Sequence, residues 1–207
     1  MKENNMSKQL LVDTILFEVS PELVNESISQ NKPLVVSGVL QRADSKNHNG
    51  RVYPRTILER EAKKYADIQV RERRALGELD HPESTVVNLN NVSHNVKKMW
   101  WENDNLIGEV EVLGTPCGNI LKELFRAGIK LGISSRGLGS VKNESDNSNV
   151  VQEDFELIAF DFVSNPSVHG AFMYPGSLNE SVNVELQNKT SKYAKINHII
   201  TEILSGE

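Results

Sequence analysis

Five strand-like runs dominate the sequence, and helices do not separate them in the regular alternation that a doubly wound parallel sheet requires. Leu34-Val35-Val36-Ser37-Gly38-Val39-Leu40 is rich in β-branched residues and bounded by turn formers, which predicts a buried strand. Residues 86–101 and 106–113 predict two further strands joined by the turn Asn103-Asp104-Asn105, the second alternating so that one face stays wet. A glycine-punctuated strand over 131–141 and another over 155–163 complete the set, with the polar stretch 143–149 as an exposed hairpin connection between them. Only two stretches have clear helical spacing. One is 56–69, with Ile57, Leu58, Ala62, Tyr65 and Ala66 on one face and Pro54 just ahead; the other is 119–127, closed by Gly128. The expectation is a mainly β, α+β fold, an antiparallel sheet or barrel surrounded by a few helices.

At 207 residues the chain suits one domain with loose ends. Residues 1–32 read as a loosely attached N-terminal arm whose apolar piece, Thr14 to Phe17, is able to dock; 33–175 form the domain; 176–207, polar and rich in Ser and Asn, read as a flexible tail with a short helix near 196–204. The net charge of -5 leaves no basic excess to replace counterions along a phosphate backbone, so a dedicated nucleic-acid binder is disfavoured. No apolar run approaches the roughly 20 residues of a membrane helix, and the first residues are unlike a signal peptide. The single Cys117, in a turn-like Gly-Thr-Pro-Cys-Gly setting, suits a reducing compartment and is a poor candidate for a catalytic thiol.

Two segments place reactive side chains among turn-forming residues: Gly77-Glu78-Leu79-Asp80-His81-Pro82 and Gly132-Ile133-Ser134-Ser135-Arg136-Gly137-Leu138-Gly139. A serine hydroxyl is a weak nucleophile until a base takes its proton, and imidazole is the side chain whose ordinary pKa suits that task near neutrality. From the residues alone, the histidine equally well caps a turn and the serines equally well bond a strand end. Neighbouring side chains of a strand point to opposite faces, so only one of Ser134 and Ser135 can face His81.

Four motifs in order carry a resemblance: Asn-x-Asn-Gly-Arg-x-Tyr-Pro around Arg51 to Pro54, Ala-Leu-Gly-Glu-Leu-x-His-Pro ending at Pro82, Met99-Trp100-Trp101, and Ser-Ser-Arg-Gly-Leu-Gly-Ser from Ser134. Together they resemble the prohead core proteases of large contractile-tailed bacteriophages over about residues 33–167. That family is similar in fold to the herpesvirus assembly proteases, a β-barrel ringed by helices that uses a serine with a histidine base. The resemblance implies a serine endopeptidase with Ser134 as nucleophile, His81 as base and Asp161 as the carboxylate that orients it. Ser135 is the rival nucleophile; Asp80, Glu78, His94 or His169 are rivals for the third place, and Asp161 has an alternative role as ion-pair partner of a core arginine. Arg136 and Gly137 would supply part of the oxyanion hole.

The resemblance further implies no cofactor and no metal, and an enzyme enclosed in the procapsid within the host cytoplasm. Its substrates would be the internal scaffold or core proteins and the major capsid protein, with no direct nucleic-acid or membrane partner; a homo-oligomer is compatible with this. Cleavage after glutamate, with an aliphatic residue two positions earlier, would make Glu18, Glu180 and Glu202 self-cleavage sites, whereas Glu109, inside a predicted strand, should resist. Reading that glutamate needs a cationic pocket, for which Arg51, Arg55, Arg74 and Arg136 are candidates. Two other classes stay open: a non-catalytic, scaffold-associated assembly protein, and a hydrolase holding a divalent metal through Glu78, Asp80, His81 and His94.

Overall fold

The computed structural model describes residues 7–17, 19–80, 82–144 and 148–164, all within one unit spanning Met1–Pro175. Ten strands and three α-helices follow in the order β1 (Gln9–Phe17), α1 (Pro21–Ser29), β2 (Leu34–Arg42), β3 (Arg51–Val52), α2 (Arg55–Tyr65), β4 (Leu76–Glu78), β5 (Val92–Glu102), β6 (Asn105–Val112), α3 (Pro116–Arg126), β7 (Leu131–Gly139), β8 (Val141–Asn143), β9 (Asn149–Val151) and β10 (Glu156–Val163). The fold is a sheet-dominated α+β architecture, as its strand-rich sequence predicts.

Three sheets form, with strand orders β1-β7-β10, β2-β6-β5-β4 and β3-β9-β8. Pairing is antiparallel throughout except for the two-residue β3–β9 ladder. The first two sheets meet at a parallel bridge between Leu79 and Phe162. No ladder between β1 and β2 closes them into a barrel among the described residues; a side-chain bond joins β2 to β7 instead, with Gln41 Nε2 donating to Ser135 Oγ at 2.7 Å. Between the sheets lies one continuous core. Phe17, Phe125 and Phe162 pack together with centroids 4.6 to 5.8 Å apart, beside Ile15, Leu34, Val36, Val96, Val110, Leu121 and Ile133.

The helices start and stop where local chemistry dictates. Thr115 Oγ1 accepts the Gly118 N–H at 3.0 Å and Pro116 occupies the first turn of α3, while Gly128 (φ 71°) takes the left-handed position that ends it. The predicted helix over 56–69 divides into α2 and a five-residue π-helical turn, Ala66–Val70. Helix α1 was not expected from the sequence. Its signal is Ser20, whose hydroxyl accepts the Leu23 N–H at 3.4 Å, followed by Pro21 in the first helical turn, where a missing N–H costs nothing.

The N-terminal arm is corrected most. Residues 9–17 are a full nine-residue partner of β7, in register from Gln9 opposite Gly139 to Phe17 opposite Leu131. Asp13, which interrupts the apolar run, is 2% exposed and accepts hydrogen bonds from Asn49 Nδ2 (2.7 Å), Arg51 Nη1 (2.9 Å) and the Tyr53 hydroxyl. Asn49 and Arg51 also donate to Val12 O. Asn47 Oδ1 shapes the loop that presents them by accepting the Asn49 and Arg51 N–H groups, and Gly50 turns it at φ 71°. The Asn-x-Asn-Gly-Arg-x-Tyr box therefore locks β1 to the domain, a buried charge being tolerable only when fully paired. The expected tail, 176–207, lies outside the described residues.

Candidate active site

Strand β7 stands between β1 and β10, and its register sorts the reactive residues. Ser134 lies opposite Thr14 on one side and Asp161 on the other, while Ser135 lies opposite Asp13 and Phe160. Cross-strand partners share a face and successive residues alternate. Ile133 and Ser135 thus turn toward the core, where Ser135 Oγ meets Gln41 Nε2 at 2.7 Å and Asp13 O at 3.5 Å. Ser134, Arg136 and Asp161 share the opposite face, and all three are fully buried. Ser134 Oγ has no hydrogen-bond partner among the described residues.

That face carries a closed charge cluster. Arg136 Nε donates to Asp161 Oδ2 (2.9 Å), and Nη2 donates both to Asp161 Oδ1 (3.2 Å) and to Glu78 Oε1 (3.0 Å). Nη1 reaches Ser84 O at 2.8 Å. The Glu78 N–H donates to Asp161 Oδ1 at 3.0 Å, and Glu78 Oε1 accepts the Asn88 N–H at 3.0 Å. Burial pushes the Asp161 carboxyl up, opposed by the Arg136 guanidinium and the Glu78 N–H. One cation faces two carboxylates, so the cluster carries a formal charge of -1. Glu78 Oε2, also buried, has no partner among the described residues.

His81 lies outside the described residues, as do Glu18, Glu180, Glu202, His169 and His198. The chain on either side of position 81 is tied to this face. The Asp80 N–H donates to Phe162 O at 2.7 Å with Asp80 at φ 66°, and Ser84 O takes the Arg136 bond. Gly77 makes that approach possible, because a Cβ there would stand 2.0 Å from Phe160 O and 2.2 Å from His94 Nε2.

The other candidates fall elsewhere. His94 is fully buried on the core side, its ring packed against Phe162. Phe160 O can only accept, so His94 Nε2 carries the proton (2.9 Å) and Nδ1 takes the Ser93 hydroxyl (2.9 Å). Burial holds this imidazole down at about 4, from an ordinary 6.5. Between those values the unfolded chain binds a proton that the native state refuses. Stability is therefore expected to fall by on the order of 3 kcal/mol as pH drops from 6.5 to 4, then to level off. Unfolding followed across that window checks this: a His94→Asn variant should lose less than the wild type, and equal losses would refute it.

Gly137 sits where a Cβ would meet the Phe155 ring at 2.3 Å, and both Arg136 and Gly137 lie within ladders to β1 and β10. Arg51 pairs with Asp13, Arg74 with Glu72, and Arg55 with Glu59 while its guanidinium lies 3.7 Å from the centre of the Trp101 ring. Glu78 is committed to Arg136 and His94 points into the core, so these two members of the metal-holding alternative diverge. Cys117 Sγ lies 3.6 Å from Asn90 O near the start of α3, and Glu109 sits within β6 between two paired strands. Sequence reasoning missed the joint grip of Glu78 and Asp161 on Arg136. The available signal was an arginine and an acid in apolar strands, each needing a partner.

The chain belongs to the prohead core protein serine protease family, whose profile matches residues 11–183. It is a protease of phage prohead assembly. It is 35% identical over 155 residues to the prohead core protein protease of Enterobacteria phage T4, an alignment covering 73% of each protein. Among solved structures it is similar to the bacteriophage T4 capsid assembly protease gp21, with a TM-score of 0.67 and 29% identity over 77% of this chain and 99% of that one.

Proposed function

We propose that this protease is a serine endopeptidase in which Ser134 attacks the scissile carbonyl and His81 takes its proton. The observation that carries this is the Ser134 hydroxyl, buried and without a hydrogen-bond partner among the described residues, on the strand position opposite Asp161, which with Glu78 and Arg136 forms a cluster of formal charge -1. Attack forms the Ser134 Oγ–carbon bond and places negative charge on the carbonyl oxygen. The imidazolium then gives its proton to the leaving amine as the carbon–nitrogen bond breaks, and water hydrolyses the acyl-enzyme by the same route. Asp161 supplies the negative charge that stabilises the imidazolium.

Family membership supports scaffold or core proteins and the major capsid protein as substrates, inside the procapsid in the host cytoplasm. Cleavage after glutamate, with an aliphatic residue two positions earlier, extends to the chain itself at Glu18, Glu180 and Glu202. Because the β7 ladder and the Asp13 clamp hold β1, cleavage after Glu18 would nick the protein without shedding the strand.

Intact masses of purified wild type and Ser134→Ala, followed under denaturing conditions over time, test this reading. Wild type should lose segments ending at these glutamates while Ser134→Ala keeps its full mass. Equal trimming in both, cuts only at other residues, or no trimming in either would overturn it.

A further inference from the structure

A cavity of about 40 Å³ opens between β1 and β2, the two sheet edges that no ladder joins among the described residues. That volume suits a group of a few heavy atoms. Asp13, Thr14, Gln41, Arg42 and Asn47 are among the residues that line it, and their polar groups are unevenly committed. Gln41 gives Nε2 to Ser135 and takes the Arg42 N–H on Oε1; both Asp13 oxygens are occupied, with Arg51 balancing the charge. Asn47 differs. Its Oδ1 accepts two backbone N–H groups, from Asn49 and Arg51, which fixes the orientation of the amide. Nδ2 is thereby left as a buried donor with no acceptor among the described residues. Arg42 gives Nε to Asn105 Oδ1 at 2.8 Å, and among the described residues its two Nη groups keep their donors for a further partner. Donors and positive charge remain, the complement of a carboxylate.

We infer that this cavity receives the side-chain carboxylate of the substrate glutamate, and that Arg42 and Asn47 are the specificity-determining residues that read it. This rests on the proposed cleavage after glutamate by Ser134 and deepens it. Thr14 joins the two places. It lines the cavity and is the direct cross-strand partner of Ser134, on the same face, where paired Cβ atoms stand about 4.5–5.5 Å apart. A glutamate whose carbonyl lies at Ser134 can pass its side chain over Thr14 into the gap, because two methylenes carry the carboxylate a comparable distance from Cα. The four arginines that the sequence offers for this task are committed elsewhere: Arg51 to Asp13, Arg55 to Glu59, Arg74 to Glu72, and Arg136 to Glu78 and Asp161. Asn47 opens the Asn-x-Asn-Gly-Arg-x-Tyr box, so the loop that clamps β1 also presents the donor. Glutamine is disfavoured, since its own amide N–H groups would meet these donors and leave them unpaired.

Matched peptides of aliphatic-x-Glu and aliphatic-x-Gln sequence test this with the full chain. Asn47→Asp is the narrow variant: it keeps an oxygen for the two backbone N–H groups and replaces the donor with a second carboxylate oxygen. Arg42→Gln removes the charge. In each, the ratio of kcat/KM for the glutamate peptide to that for the glutamine peptide should fall by about 10- to 10²-fold. Damage to the fold lowers both peptides alike and spares the ratio. An unchanged ratio in either variant, with wild type selective for glutamate, would therefore overturn the role of that residue alone. Equal cleavage of the two peptides by wild type would overturn the glutamate reading, undiminished cleavage by Ser134→Ala would overturn the nucleophile, and this inference falls with either. Binding gives an answer that depends neither on turnover nor on the folding of the pocket variants. In ¹⁵N-labelled Ser134→Ala, the glutamate peptide should shift the Asn47 side-chain amide resonances more than the glutamine peptide does; an equal or absent shift would overturn the proposal.

Discussion

Arg136→Met is expected to lose about 3–5 kcal/mol of folding stability, which is much or all of what a domain of this size has in reserve. The methionine fills similar apolar volume but leaves Glu78 and Asp161 facing one another in the interior, with the guanidinium that bonded both carboxylates removed. It also frees Ser84 O, loosening the loop after β4. Arg136→Lys should fall between, because an ammonium restores charge without the paired geometry toward Asp161. The triple variant Glu78→Gln, Arg136→Met, Asp161→Asn should be more stable than Arg136→Met alone, since no unpaired charge remains, and the three effects should not add. Denaturant unfolding midpoints check this order. A midpoint for Arg136→Met equal to that of wild type would show that the cluster does not hold the fold.

Ser134→Ala and Ser135→Ala are expected to separate activity from stability. Ser134→Ala should lower kcat on peptides of aliphatic-x-Glu sequence by about 10⁴- to 10⁶-fold. It removes a buried hydroxyl that has no hydrogen-bond partner among the described residues, so stability should change by less than about 1 kcal/mol. Ser135→Ala should do the reverse. Activity should stay within about tenfold, while about 1–3 kcal/mol of stability is lost because Gln41 Nε2 is left without its acceptor in the seam between the sheets. Steady-state kinetics with thermal unfolding of both variants decides; loss of activity in Ser135→Ala alone would exchange the two roles.

The strands and the two strongest helices were legible because they depend on neighbours in sequence. The turn at Asn103 (φ 52°), the cap at Thr115 and the break at Gly128 are each written within a few residues. Strand β1 is legible only as an apolar piece able to dock, because Asp13 breaks its alternation. The residues that make Asp13 acceptable, Asn49, Arg51 and Tyr53, lie more than 30 positions away. Helix α1 was hidden by a proline that reads as a breaker unless its place in the first turn is known. The alternative role weighed for Asp161, pairing with a core arginine, is present in the structure, and that arginine is Arg136.

By itself, the sequence determined the mainly β class, the positions of most elements, and through its ordered motifs the protease family to which the chain belongs. Only the tertiary structure decided which serine faces Asp161 and which faces the core, and that the glutamate beginning the Glu-Leu-Asp-His-Pro motif shares a buried guanidinium with Asp161. The reason is that side chains alternate with a period of two along a strand, so the face each presents depends on register with partners distant in sequence. A buried charge, moreover, is tolerated or ruinous according to neighbours that only the folded chain brings within 3 Å.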